Sequence, residues 1–223
     1  MDLERVLCIR RGVTAIIGGG GKTTLMLCLG KELSQRGRVI LCTTTHILPD
    51  ATVACVVPAT EHALEQALEL NPCVMTGSPA DNGKICAPQL PFEALCKHAD
   101  YVIVEADGSR HCPVKAHAAH EPVIPPLANQ TILVIGASAF GQTISSAVHR
   151  PEIFCEWTGT QPEDLVTPAR ISNYVNLEGL HTRVLINQTE TARRRRLAKE
   201  LAGRLKSPAC MASLKEGWIQ CLF

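Results

Sequence analysis

Aromatic residues are scarce: four Phe, two Trp and two Tyr in 223 residues. So few rings exclude a base-stacking platform for single-stranded nucleic acid. An excess of one charge sign is also missing. Lys plus Arg number 22 and Asp plus Glu 21, for a formal net charge of +1. No global field therefore draws the chain to nucleic acid or to an anionic membrane. No apolar run is long enough to cross a bilayer. Asp2, Glu4, Arg5, Arg10 and Arg11 surround only a short apolar stretch, which is not the form of a signal peptide, so the expected compartment is the cytoplasm. Cysteine, by contrast, is plentiful. The eleven are odd in number, contain no CxxC and mostly lie in apolar segments, which argues against a disulfide framework or a zinc ribbon and for small buried hydrophobes. With 46% hydrophobic and 19% charged residues the chain is globular, and its length suits one domain, 1–223, able to bury roughly 70% of its unfolded surface.

Apolar runs alternate with helical patterns. Val13–Ile17, Arg38–Thr43, Thr52–Val57, Tyr101–Val104, Thr131–Ile135 and Arg183–Ile186 read as strands, with a last one around Trp218–Phe223. Thr23–Arg36, Glu61–Leu70, Pro91–His98, Leu165–Val175 and Thr189–Leu205 read as helices. Pro72–Thr76 and Lys84–Ala87 flank a turn-rich segment and are expected to pair as a hairpin. Alternation of this kind predicts a three-layer α/β domain with a mostly parallel sheet.

The first strand runs into Gly18-Gly19-Gly20-Gly21-Lys22-Thr23-Thr24 and then directly into a helix. Glycines let backbone N–H groups wrap a phosphate, and the helix N-terminus adds partial positive charge. Lys22 suits the β- and γ-phosphates, the Thr23 hydroxyl suits Mg²⁺, and Thr24 an inner phosphate. The full Walker pattern has a glycine six residues before the lysine, where this chain has Ile16; the shorter G-x-x-G-K-T-T pattern is met and resembles the loop of Mur-type ligases. A P-loop NTPase-like domain binding ATP or GTP with Mg²⁺ is the expectation.

Two further strand ends carry chemistry. Tyr101–Val104 leads into Glu105-Ala106-Asp107, a Walker B-like element whose carboxylates, Glu105 or Asp107, suit the metal or an attacking water. Thr43-Thr44-Thr45-His46 offers hydroxyls for metal or γ-phosphate, with Thr44 the metal candidate, against the plain β-propensity of threonine.

From Asp107 to Leu127 the chain has four prolines and three histidines, the composition of a functional loop. Lys115 and Arg110 suit a transferring phosphoryl group or an anionic substrate; His120 with Glu121 suits a base and its orienting partner. His111, Cys112, His117 and His120 match no standard zinc spacing. Asn187-Gln188-Thr189-Glu190 resembles the guanine-reading N-K-x-D element poorly, and an Asn turn before a Thr cap competes with a nucleotide role for Asn187. Arg193–Arg196 span most of a helical circumference and read as a solvated helix end, while His149 and Arg150 are candidates for the rim of a site.

Gly18–Thr24, Thr43–His46 and above all Val104-Glu-Ala-Asp-Gly-Ser-Arg110, with Pro113, Lys115 and His120-Glu-Pro-Val-Ile-Pro125, resemble the YqeC-type family of selenium-dependent hydroxylase accessory proteins. Gly136, Gly141, His149-Arg150, Leu165–Pro168 and Asn187 extend the resemblance over nearly the whole chain. It implies a role in maturing molybdenum hydroxylases that need a labile selenium, with a hydroxylase or cofactor-maturation protein as partner. The competing classes are a nucleotide-gated chaperone or carrier for a selenium or molybdenum cofactor species, and a thiol carrier using Cys112.

Overall fold

The computed structural model describes residues 1–222. Nine strands among them form one sheet: β1 (Gly12–Gly18), β2 (Val39–Thr43), β3 (Ala54–Val56), β4 (Cys73–Thr76), β5 (Tyr101–Glu105), β6 (Ala128–Gly136), β7 (Arg183–Asn187), β8 (Ala209–Ser213) and β9 (Trp218–Cys221). Their spatial order is β9-β8-β7-β6-β1-β5-β2-β4-β3, and every neighbouring pair is parallel except β8 with β9. Helices cover both faces, giving the three-layer α/β architecture that the alternation predicts.

Strand periodicity divides the core. Ile16, Ile103, Ile132, Val134 and Leu185 point to one face, against α1 (Leu3–Leu7) and α2 (Lys22–Leu33) through Leu3, Leu7, Leu25, Met26 and Leu29. Their sequence neighbours point the other way. On the β2–β5 side, Val13, Ile40, Val102 and Val104 meet α3 (Glu61–Leu70) and α4 (Phe92–His98). On the β6–β8 side, Ile17, Leu133, Ile135, Val184 and Ile186 meet α5 (Ile144–Ala147), α6 (Pro151–Thr158), α7 (Pro168–Glu178) and α8 (Ala192–Ala202). Both faces of the central strands are buried, which is why they read as continuous apolar runs.

Three differences from the sequence reading have physical reasons. Residues 73–76 do not form the expected hairpin; they enter the main sheet between β2 and β3, and the hairpin is the shorter pair Ser78–Pro79 with Ile85–Cys86. A strand pattern specifies burial, not partner. Strand β8 comes from Ala209-Cys-Met-Ala-Ser213, whose lack of branched residues hides its β character. Helix α7 begins at Pro168 because Thr167 caps it, its hydroxyl accepting from the Arg170 amide at 3.3 Å; Thr191 likewise starts α8, accepting from Arg194 at 3.2 Å. Of the expected final strand, residues 218–221 are β9 and Phe223 lies outside the described residues.

Candidate phosphate-loop site

The chain leaves β1 through α2 to β2, builds outward, returns as β5 beside β1, and then crosses to β6 on β1's other edge. The order therefore reverses at β1 and β5, and the crevice at their carboxyl ends is where α/β sheets hold ligands. The Gly18–Thr24 loop and the Glu105/Asp107 pair meet there.

Four cations and four carboxylates interlock at this point. Lys22 Nζ lies 3.1 Å from Asp107 Oδ1 and 3.6 Å from Glu105 Oε1, and donates to the Gly18 carbonyl at 2.7 Å. The Thr23 hydroxyl donates to Glu105 Oε2 at 2.8 Å. Asp107 Oδ2 accepts from the Gly18 amide at 2.7 Å and meets His117 Nε2 at 2.6 Å. The other ring nitrogen of His117 meets Glu178 Oε1 at 2.7 Å, and the Tyr174 hydroxyl, which accepts from the His117 amide, donates to the same carboxylate. Lys115 donates to the Gly108 carbonyl at 2.6 Å and to Glu121 at 2.7 Å, with Asp107 at 3.7 Å, and Glu121 also pairs with Arg150 at 2.9 Å.

Burial and charge pull these groups apart. Burial raises the Glu105 carboxyl despite Lys22 and Thr23. Burial also works against the ionised Asp107, but the His117 bond and the Lys22 and Lys115 charges outweigh it and hold its carboxyl below the usual range. Burial opposes a charged His117, yet its bonds to Asp107 and Glu178 raise it overall. Glu121 is lowered because Lys115 and Arg150 outweigh its burial.

The segment after the acids closes over the glycine loop. The Gly20 amide donates to the Cys112 carbonyl at 3.3 Å, and the Gly136 amide to the Pro113 carbonyl at 2.7 Å. A Cβ on Gly19 would run into the Cys112 carbonyl and the Pro113 backbone, so that position accepts only glycine. Just before this contact Arg110 and His111 both have positive φ, 48° and 65°, two successive left-handed non-glycine residues. The strain marks a segment held in place by its surroundings.

The sequence candidates separate into groups. Gly18, Gly19, Gly20, Gly21, Lys22, Thr23, Glu105 and Asp107 come together. Lys115 and Glu121 join them, with Lys115 buried and fully engaged. Asn187 lies beneath the loop: its side-chain amide donates to the Gly20 carbonyl at 2.8 Å and its oxygen accepts from Leu214 at 3.1 Å, so it positions the loop from below. Thr24 is exposed at the helix start. The Thr44 hydroxyl is turned to the Val123 carbonyl at 2.8 Å, while Thr43 donates to the Glu105 carbonyl. His120 is exposed, and Glu121 turns to Lys115 and Arg150 instead of to it. Among the described residues no group of three or more His, Cys, Asp or Glu side chains is arranged as a metal cage, so the histidines of the loop do not gather around an ion. The residues that sequence reasoning leaves without a role are Tyr174 and Glu178, which belong to α7 and come from 57 and 61 residues beyond His117. Only the unusual placement of a buried histidine hints at them.

The donor set fits a magnesium nucleotide. Thr23 and Glu105 offer hard oxygens side by side, and buried Asp107 Oδ1 beside them faces the Lys22 ammonium at 3.1 Å. Gly21 at the head of α2 provides no side-chain cap, leaving the first-turn amides for a phosphate. The Cys112 contact at Gly20 is the one protein bond that a phosphate reaching that amide has to displace.

A family model described as YqeC protein matches residues 14–152. The Escherichia coli (strain K12) "Uncharacterized protein YqeC" is 34% identical over 164 residues. The match covers 69% of this chain and 63% of the relative's length, just under two thirds of it. No helix among the described residues is long and apolar enough to cross a membrane.

Proposed function

Because the chain belongs to the YqeC family, we propose that it is a Mg²⁺-dependent ATP- or GTP-binding protein that hydrolyses the nucleotide, or transfers a group from it, in the maturation of selenium-dependent molybdenum hydroxylases. The observation that carries this reading is Lys22 at the head of an uncapped helix, held within 3.1 and 3.6 Å of two buried carboxylates at the next strand's end. A phosphate in the loop would draw this buried ammonium away from Asp107 and Glu105.

Each group has a role in this reading. The loop amides and Lys22 bind the β- and γ-phosphates. Thr23 and Glu105 would hold the Mg²⁺, which would neutralise phosphate charge when bound. Asp107 stays ionised beside His117 and accepts a proton from the attacking water or acceptor hydroxyl. His117 and Glu178 behind it hold that carboxylate in orientation, as an acid–histidine–acid chain does. Most of the rate enhancement comes from positioning and electrostatics. The partner in this reading is a molybdenum hydroxylase or a protein of its cofactor maturation, in the cytoplasm.

A second reading, a nucleotide-gated carrier or chaperone with little turnover, is favoured by one observation: the Cys112 carbonyl occupies the Gly20 amide while Arg110 and His111 are strained. Phosphate binding would release that segment. Steady-state hydrolysis separates the two. The enzyme reading expects Mg²⁺-dependent turnover of the protein alone, lost on Asp107→Asn with nucleotide binding retained. Tight binding with negligible turnover would instead establish the switch.

A further inference from the structure

Beside the phosphate loop lies a cavity of about 390 Å³ whose lining includes Arg110, Cys112, His149, Arg150 and Glu152. We propose that it binds the oxyanion, carboxylate or phosphate, of a small acidic second substrate. The assignment to a second substrate rests on the nucleotide reading above; the anion site itself does not.

Location comes first. Cys112 is a shared wall, since its carbonyl takes the Gly20 amide of the phosphate loop while the residue lines the cavity. The cavity therefore adjoins the glycine loop through this one residue. The two sides of the cavity are tied together by a short parallel ladder, Val114–Lys115 with Val148–His149, and by the Ala116 amide donating to the His149 carbonyl at 3.0 Å. The ladder therefore ties the residue before Arg150 to the segment that follows Arg110.

Charge comes second. Arg110 has no carboxylate partner among the described residues, and Arg150 uses its Nε on Glu121 alone. Glu121 is already shared with Lys115, so it does not neutralise both guanidinium groups. Glu152 is the one further acid in the lining, and it is exposed. His149 senses the same balance: burial lowers its pKa first, and Lys115, Arg150 and Arg110 lower it further against Glu121. The lining thus combines an imidazole whose charged form is disfavoured with two guanidinium groups whose planar forks match carboxylate and phosphate.

Backbone strain comes third. Arg110 and Arg150 have φ of 48° and 65°, so both guanidinium-bearing residues are held in the left-handed region. Neither position is glycine, although glycine would relieve the strain, as expected where the side chain is what the position must supply.

The thiol of Cys112 reports occupancy. The test is the rate of Cys112 alkylation by iodoacetamide, followed by peptide mass spectrometry, with exposed Cys55 as the internal reference. Inorganic phosphate and acetate are the two probes. Expected is saturable protection of Cys112, with Cys55 unaffected, by at least one probe; which one works names the source of the oxyanion. Half-protection should need about tenfold more probe in Arg110→Ala and in Arg150→Gly, a change that the left-handed backbone tolerates. Protection must also survive Lys22→Ala. The proposal is overturned if neither probe protects at up to about 50 mM, if both arginine variants protect as the wild type does, or if Lys22→Ala abolishes protection, which would put the anion in the phosphate loop. Where Lys22→Ala does not fold, the arginine variants alone decide. Loss of MgATP binding by the wild-type protein would remove the nucleotide reading and leave this outcome readable.

Discussion

Lys22 is buried with its charge, and among the described residues its compensation is Asp107, Glu105 and one carbonyl. Removing it leaves buried Glu105 without an ion-pair partner among the described residues and takes one of several from Asp107, so Lys22→Ala is expected to cost about 3–5 kcal/mol in urea unfolding near neutral pH, and to cost less in mild acid, where Glu105 protonates. An equal cost at both pH values would mean that the ammonium is not their neutraliser. His117 gives the opposite pH signature. Its pKa is raised in the fold, so its pairing adds stability that is complete below the unfolded value of 6.5 and is lost as pH rises through the raised folded value. Asp107 is lowered, so its share is complete above 3.8 and is lost as pH falls through the lower folded value. Wild-type stability should therefore fall as pH rises above about 6.5, and His117→Gln should flatten that arm. An unchanged slope in the variant would place the titration elsewhere.

Among the elements, the glycine loop and its cover behave as one unit. Gly19→Ala drives a methyl group into the Cys112 carbonyl and the Pro113 backbone. The expected cost is about 1–3 kcal/mol, with faster alkylation of Cys112 as the cover lifts; unchanged Cys112 reactivity would contradict the contact. Helices α6 and α7 are fastened by Phe154, fully buried and stacked on Tyr174 at 5.1 Å. Phe154→Ala should cost about 3–5 kcal/mol and loosen the Tyr174–Glu178–His117 chain, so the pH dependence of stability should weaken with it. Much of this organisation is legible in the sequence. The strand–glycine loop–helix unit is local and specific, as is the apolar run ending in Glu105 and Asp107. The pairing of residues 73–76 with β2 and β3 is not, because periodicity reports which face is buried and not which strand lies alongside. Helix α6 follows a left-handed Arg150 and starts at a proline, and its eight residues are too few for a clear stripe. The site shows the same division. Lys22, Thr23, Glu105 and Asp107 follow from two short motifs, whereas the His117–Glu178 link joins segments 61 residues apart and depends on how α7 packs.

In the whole molecule, the reversal of strand order at β1 and β5 gathers the chemistry of a nearly neutral chain into one crevice. Four cations and four acids balance there, so charge added by a nucleotide must be met by Mg²⁺ and by a rearrangement of Lys22. Ligand linkage then predicts that MgATP or MgGTP at about 100 times its Kd stabilises the fold by about 2.7 kcal/mol. That gain should appear as a higher Tm with Mg²⁺ and a much smaller one without it. An unchanged Tm at saturating nucleotide would remove the linkage. The most direct measurement is calorimetric titration of the intact protein with ATP and with GTP, each with and without Mg²⁺. Micromolar binding of at least one nucleotide, strengthened by Mg²⁺ and abolished by Lys22→Ala in a folded sample, is the predicted result. Failure of both nucleotides to bind below about 1 mM in the presence of Mg²⁺ would contradict it.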